Sequence, residues 1–171
     1  MDFTNETINT KNLPRFETVA FTPLHRLYWR VILISYAIFF GILAIAIVSL
    51  LLVVEDKIHN APIVAAVIYV LLAALSLTLA RVGFKKKGFA FRTHDVLFRS
   101  GIISTSTIVI PYNRVQHVSL HEGWISRIFG LAKIEVFTAG GDASDIKIPG
   151  IEKSQAEDIK QLLMGKIQKQ L

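Results

Sequence analysis

The sequence predicts a membrane-embedded helical hairpin followed by a small antiparallel β domain that one helix closes. Three observations predict it. Two long apolar runs carry no charge, the pattern after Gly88 changes to period two, and helical spacing returns over the last twenty residues. The first run, residues 31–54, reads VILISYAIFFGILAIAIVSLLLVV, and the second, 61–80, reads APIVAAVIYVLLAALSLTLA. A spanning helix needs roughly 20 apolar residues, which both runs supply. Only Glu55-Asp56-Lys57-Ile58-His59-Asn60 lies between them, enough for a tight connection. The first run is too long, and starts too late, for a cleaved signal sequence, whose apolar core is about 7–15 residues.

The chain thus divides into an N-terminal tail and pre-membrane segment (1–30), a hairpin (31–80) and a domain (81–171). The last part is long enough for a compact but small core. With no cysteine among 171 residues, disulfides, thiolate metal sites and cysteine nucleophiles are excluded. The formal charge of +6 is uneven, since residues from Arg81 onward hold 14 basic and 8 acidic groups. Arg26 and Arg30 precede the first run and Arg81, Lys85, Lys86 and Lys87 follow the second, with only Lys57 between. Lys and Arg beside spans set orientation. The expectation is a multi-pass protein of a bacterial plasma membrane with both termini cytoplasmic.

Residues 1–14 are polar and read as a weakly ordered tail. Leu24, Leu27 and Tyr28 fall at helical spacing, and Tyr28 and Trp29 stand just before the first run. Amphipathic rings favour the headgroup level, so these two are candidate interfacial anchors, with packing against the downstream domain as the alternative. Inside the runs the polar groups are mild: Ser35, Tyr36, Ser49, Tyr69, Ser76 and Thr78. No ionisable Asp, Glu, Lys, Arg or His marks a transport pathway. Gly41 with Ala37 and Ala44, and the alanines at 65, 66, 73 and 74, offer small faces for helix packing. Arg81-Val82-Gly83-Phe84 and three lysines then leave the membrane, where each cation beside anionic lipid contributes about 1 kcal/mol.

Beyond Gly88, Phe89-Ala90-Phe91, Val96-Leu97-Phe98, residues 107–110, 114–120, 132–138 and 145–148 read as short strands. His94-Asp95, Ser100-Gly101 and Pro111 punctuate them, and Pro149-Gly150 closes the last. Short strands at such spacing indicate a sandwich or barrel. Ser154-Gln155-Ala156-Glu157 has the capping-box pattern, and Ile159, Leu162, Leu163 and Ile167 form an apolar stripe.

Residues 88–167 resemble the bacterial pleckstrin-homology domains of the YdbS-like membrane proteins. The resemblance rests on Ser100-Gly101, on Ile110-Pro111 through Arg114-Val115-Gln116-His117-Val118, on Arg127-Ile128-Phe129-Gly130-Leu131-Ala132, and on Phe137-Thr138-Ala139-Gly140-Gly141. Two N-terminal spans before one such domain is that family's layout. The resemblance implies a pleckstrin-homology-like fold, a bent seven-stranded antiparallel sandwich plugged by the C-terminal helix. It also implies a cytoplasmic face and a partner membrane protein carrying several such domains, and it supplies no catalytic residue. The chain departs from the family at His121-Glu122-Gly123-Trp124, where a more polar approach is usual.

Candidate sites follow. The stretch from Trp124 to Phe129 is apolar for a connection. It reads as a short helix covering the open side of the sandwich, with Ile128, Phe129 and Leu131 in the core and Trp124 outward. The alternative dips Trp124 into the bilayer. His117 and His121, with Asp142 and Asp145, do not assure the three or four converging ligands of a metal site. No nucleophile elbow, P-loop, HExxH or GxGxxG pattern occurs, so neither catalysis nor a cofactor is expected. The basic excess points to the membrane surface rather than nucleic acid. Arg92, Arg99, Arg114 and Lys133 are candidates for a headgroup patch with Lys85, Lys86 and Lys87.

The expected function is non-catalytic: the cytoplasmic domain mediates protein assembly at the inner membrane surface. Its partner would be another membrane protein with such domains or a second copy of the chain. The alternative is anionic lipid-headgroup binding or membrane-stress sensing by the same domain.

Overall fold

The computed structural model describes residues 18–53, 60–140 and 145–168. The expected tail at 1–14, most of the hairpin connection, and Gly141 and Asp142 lie outside these. Helices α1 (Leu27–Val53) and α2 (Ala61–Lys86) are 27 and 26 residues long. At about 1.5 Å per residue each runs some ~40 Å, longer than a hydrocarbon core of roughly 30 Å. Neither is a covered core helix, because Phe39, Ile42, Ile45, Leu71 and Leu72 stand exposed along them. Their surface is that of lipid-facing spans.

The spans meet through Tyr69, whose hydroxyl donates to the Phe40 carbonyl at 2.9 Å while the two rings stack edge-on at 5.8 Å. Gly41, expected at a close-packed face, has open space where a side chain would be. Ser35, Ser76 and Thr78 donate to carbonyls of their own helix, which satisfies them without a polar path through the membrane.

Among the described residues seven strands form two antiparallel sheets. The first has the order β1 (Thr22–Pro23), β2 (Gly88–Phe91), β3 (Asp95–Ser100), β4 (Ser106–Pro111). The second has the order β5 (Val115–His121), β6 (Leu131–Thr138), β7 (Ile146–Glu152). Between β5 and β6 lies α3 (Trp124–Ile128), and α4 (Lys153–Gln168) follows β7. Alternation drives the packing of the second sheet, where Ile134, Val136, Ile146 and Ile148 are fully buried; on β3 of the facing sheet Val96, Leu97 and Phe98 are buried in succession. Ala156 and Leu163 of α4 close the core, with Ile159 partly buried beside them.

Four expectations are corrected. Strand β7 does not stop at Pro149-Gly150. A register shift opposite Ala132–Ile134 lets it pass through and pair again at Ile151 and Glu152. Helix α4 begins at Lys153, so Ser154 is inside its first turn. The Lys153 amide donates to the Gly130 carbonyl, and its ammonium pairs with Glu122 at 2.9 Å. Leu162 is exposed, because the buried stripe runs Ala156, Ile159, Leu163. Ile128 is 74% exposed, and Ile125 takes the core position instead, with Val31 and Leu131.

The first strand comes from before the hairpin. Thr22 pairs with Phe89 and Pro23 with Gly88, and Leu24 is buried in the main core. The hairpin is thus an insertion between β1 and β2. Its base is clamped to the domain by Tyr28, which packs on both apolar clusters. Phe84 of α2 lies 6.5 Å from the Tyr28 ring and 5.7 Å from that of Trp29. The Arg81 guanidinium caps Trp29 at 4.6 Å. Gly150, at φ +66°, lets β7 turn directly beneath the Tyr28 ring, and its carbonyl accepts the His25 amide at 2.9 Å.

Candidate functional site

Strand direction sorts the candidate cations. Strand β2 starts at the membrane end and β3 returns to it, so Arg92 sits at the far end and Arg99 at the near one. The strands separate these two by roughly 14 Å, four residues at about 3.4 Å each. Arg114, after β4, also lies at the far end, beside Tyr112. Lys85, Lys86 and Lys87 lie at the base of α2, on the side of Arg99. The structure therefore brings Arg99 and the three lysines to one end and leaves Arg92 and Arg114 at the other.

Several of the candidate cations are already engaged. Arg92 makes a bidentate pair with Asp95, which holds its guanidinium above its ordinary pKa and seals the β2–β3 turn. The Tyr112 hydroxyl donates to the Arg92 carbonyl at 2.6 Å, and burial pushes this phenol up. Lys166 donates to the Thr93 carbonyl and lies over the Tyr112 ring. The Arg99 guanidinium rests 3.9 Å above the Phe21 ring, with its Nε buried and without a hydrogen-bond partner. On β6, Lys133 holds Glu135 below the usual carboxylate range.

Tyr28 and Trp29 occupy the first turn of α1, level with the base of the hairpin, and turn their rings into the junction with Phe84. Trp124 is outward, 69% exposed. His117 lies against the Phe137 ring at 4.4 Å, and no acidic or histidine cluster suited to a metal occurs among the described residues.

Two surfaces carry features that sequence reasoning missed. The first is the free side of β4. Ile108 packs inward and Ile110 is buried, Val109 is exposed, and β3 is the one strand paired with β4 among the described residues. Beside this edge opens a cleft of about 340 Å³, lined by Ile108, Val109, Ile110, Pro111, Arg114 and Thr138. The second is the membrane-facing end of the domain, where Ile102 packs onto Gly83 and Ile103 is 97% exposed. A pair of isoleucines inside the polar run Ser100 to Ser106 was the available signal.

A seven-stranded sandwich closed by a C-terminal helix, with a membrane hairpin inserted after its first strand, defines a membrane-anchored pleckstrin-homology-like protein. The family model described as "Bacterial PH domain" matches residues 31–167, and the chain belongs to that family. It is YdbS-like: it is similar to the "UPF0699 transmembrane protein YdbS" of Bacillus subtilis (strain 168), with 27% identity over 82 residues. That alignment covers 48% of this chain, and the chain spans about half the length (50%) of that relative. No solved structure matches the chain with significance.

Proposed function

We propose that this chain is a non-catalytic assembly module, in which the β4 edge receives an extended strand from a bacterial PH domain on another membrane protein. The observation that carries the reading is the β4 edge beside its apolar cleft, which no described strand pairs with on that side. An exposed strand edge presents a row of backbone donors and acceptors, and proteins that leave it uncharged leave it open to strand addition. Ser-Thr-Ile-Val-Ile-Pro has no charge and one proline, at its very end. Anchoring in the bilayer raises the effective concentration of such domains, so weak edge contacts become populated. Headgroup binding by a broad cationic patch draws less support, since Arg92 and Arg114 lie away from the membrane end.

A photoreactive residue at Thr107 of the full chain in native membranes is expected to capture one reproducible partner. Val109→Lys, which charges the edge at an exposed position, should lower that yield on the order of tenfold, equivalent to about 1.4 kcal/mol. A chain that captures nothing, or captures as well with Val109→Lys, overturns the assembly reading. Capture of a second copy alone would replace the partner protein by self-assembly.

We further propose that the domain and both termini face the cytoplasm. Pairing of β1 with β2 supports a shared side, because the segments flanking the hairpin belong to one sheet. The excess of Lys and Arg at the hairpin base supports which side it is. A reporter fused after Leu171 should be active only in the cytoplasm, and one at His59 only outside. The reverse pattern overturns the orientation.

A further inference from the structure

We infer that the domain is seated on the bilayer by two apolar feet flanking the hairpin: Ile103 in the β3–β4 turn, and the Trp124–Ile128 face of α3. The inference goes beyond the assembly reading and does not rest on it. Its basis is height along the spans. A Cβ at Gly83, three residues from the end of α2 on its membrane side, would lie 3.2 Å from Ile102 Cγ1. With Gly101, Ile102 borders a crevice between the spans that is also lined by Ile32, Tyr36, Leu79 and Ala80. All four belong to the uncharged runs, so the turn reaches the level at which the hydrocarbon begins. Lys86 stretches along it and donates to the Ile102 carbonyl at 2.5 Å, which satisfies a backbone oxygen held at that depth.

The turn is built to present its tip. Gly101 takes φ +134°, and a Cβ there would fall 1.9 Å from the Ser104 oxygen, so this tight return needs glycine. With Ile102 wedged inward, Ile103 is left outward, the most exposed large apolar side chain described.

The second foot is set by α1. Ile125 of α3 is buried with Val31, the first residue of the uncharged run, and with Leu131. Trp124 and Ile128, one helical turn apart, share a neighbouring face and are 69% and 74% exposed. Near the domain end of the two spans Leu33, Ile34 and Ile38 of α1 and Leu79 and Val82 of α2 are exposed apolar side chains. Exposed Arg30, Lys85 and Lys86 stand at the same height, where phosphate headgroups lie. The occupant is therefore the interfacial zone of the leaflet on the domain's side, the zone that tryptophan favours.

The absence of cysteine makes the test direct. Full-length Ile103→Cys, Trp124→Cys and, as an aqueous reference at the far end of the domain, Asn113→Cys are labelled with an environment-sensitive fluorophore. They are placed in nanodiscs of phosphatidylcholine and phosphatidylglycerol, which leave both faces open. Labels at 103 and 124 are expected to emit to the blue of that at 113, to be quenched several-fold less by iodide, and to be quenched by nitroxide-bearing lipid. All three substituted positions are exposed, so loss of folding is not expected. It is checked by requiring one monodisperse species. If either label is quenched by iodide as readily as that at 113, the seating is wrong. Shielding of either from both quenchers would show protein rather than lipid covering it, which also overturns the inference.

Discussion

Gly150→Ala is expected to destabilise the protein by roughly 2–5 kcal/mol, from two costs that add. The residue sits at φ +66°, where an L side chain loses about 1–2 kcal/mol. The added carbon would also lie 2.4 Å from Cγ and 2.6 Å from Cβ of Tyr28, and Cβ has no rotamer that carries it away. Overpacking of this kind typically costs about 1–3 kcal/mol more. Because Tyr28 bridges the domain core and the base of α1, the damage should fall at the junction. Limited proteolysis between the hairpin and the domain should accelerate along with the fall in melting temperature in detergent. Gly165→Ala is the matched control. It lies within α4 with nothing within 4 Å of its added carbon, and should be neutral or stabilising by up to about 1 kcal/mol. Equal melting temperatures for the two variants would refute the account of the junction.

The second large effect concerns the segment ahead of the hairpin. Residues 88–171, produced alone, lack β1, Leu24, Tyr28 and Phe84, all of which contact the domain. Phe89, 4% exposed in the whole chain, would lose its Thr22 partner strand and its cover. This fragment is expected to lack a cooperative unfolding transition. A chimera that joins residues 18–26 through a short flexible linker to residue 88 should regain one, since Pro23 and Gly88 are register partners and the gap is small. In the full chain, Leu24→Ala should cost about 2–5 kcal/mol, the range for truncating a buried leucine. Equal cooperativity of fragment and chimera in urea would show that β1 is dispensable.

How far the sequence could be read depended on how local each determinant is. The spans were legible because lipid exposure demands an unbroken apolar run, which needs no knowledge of neighbours. The strands at Ile134 and Ile148 were legible because one buried face imposes alternation. The end of β7 is not legible because Pro149-Gly150, ordinarily a terminator, is carried through by a bulge in which these two residues oppose the single residue Lys133 of β6. Ile128 and Leu162 were misplaced for a related reason. On a short or amphipathic helix several apolar residues compete for the buried stripe, and the partner surface chooses among them. At the candidate sites, charge type was visible but position was not. Arg92 and Arg99 are seven residues apart in the chain yet sit at opposite ends of a strand pair.

The sequence alone determined the hairpin, its uncharged interior, the β domain with its closing helix, and the resemblance to the bacterial pleckstrin-homology family. These follow from composition, periodicity and short ordered motifs, all properties of contiguous residues. Only the tertiary structure decided that the first strand precedes the hairpin, that β4 pairs with β3 alone among the described residues, and that Ile103 and Trp124 are left exposed. The physical reason is that each depends on pairing across a gap. A two-residue strand such as β1 has no periodicity of its own and exists only because β2 supplies its hydrogen bonds. An edge is defined by a neighbour that does not come. A side chain's height above the bilayer is set by where its turn packs on α1 and α2.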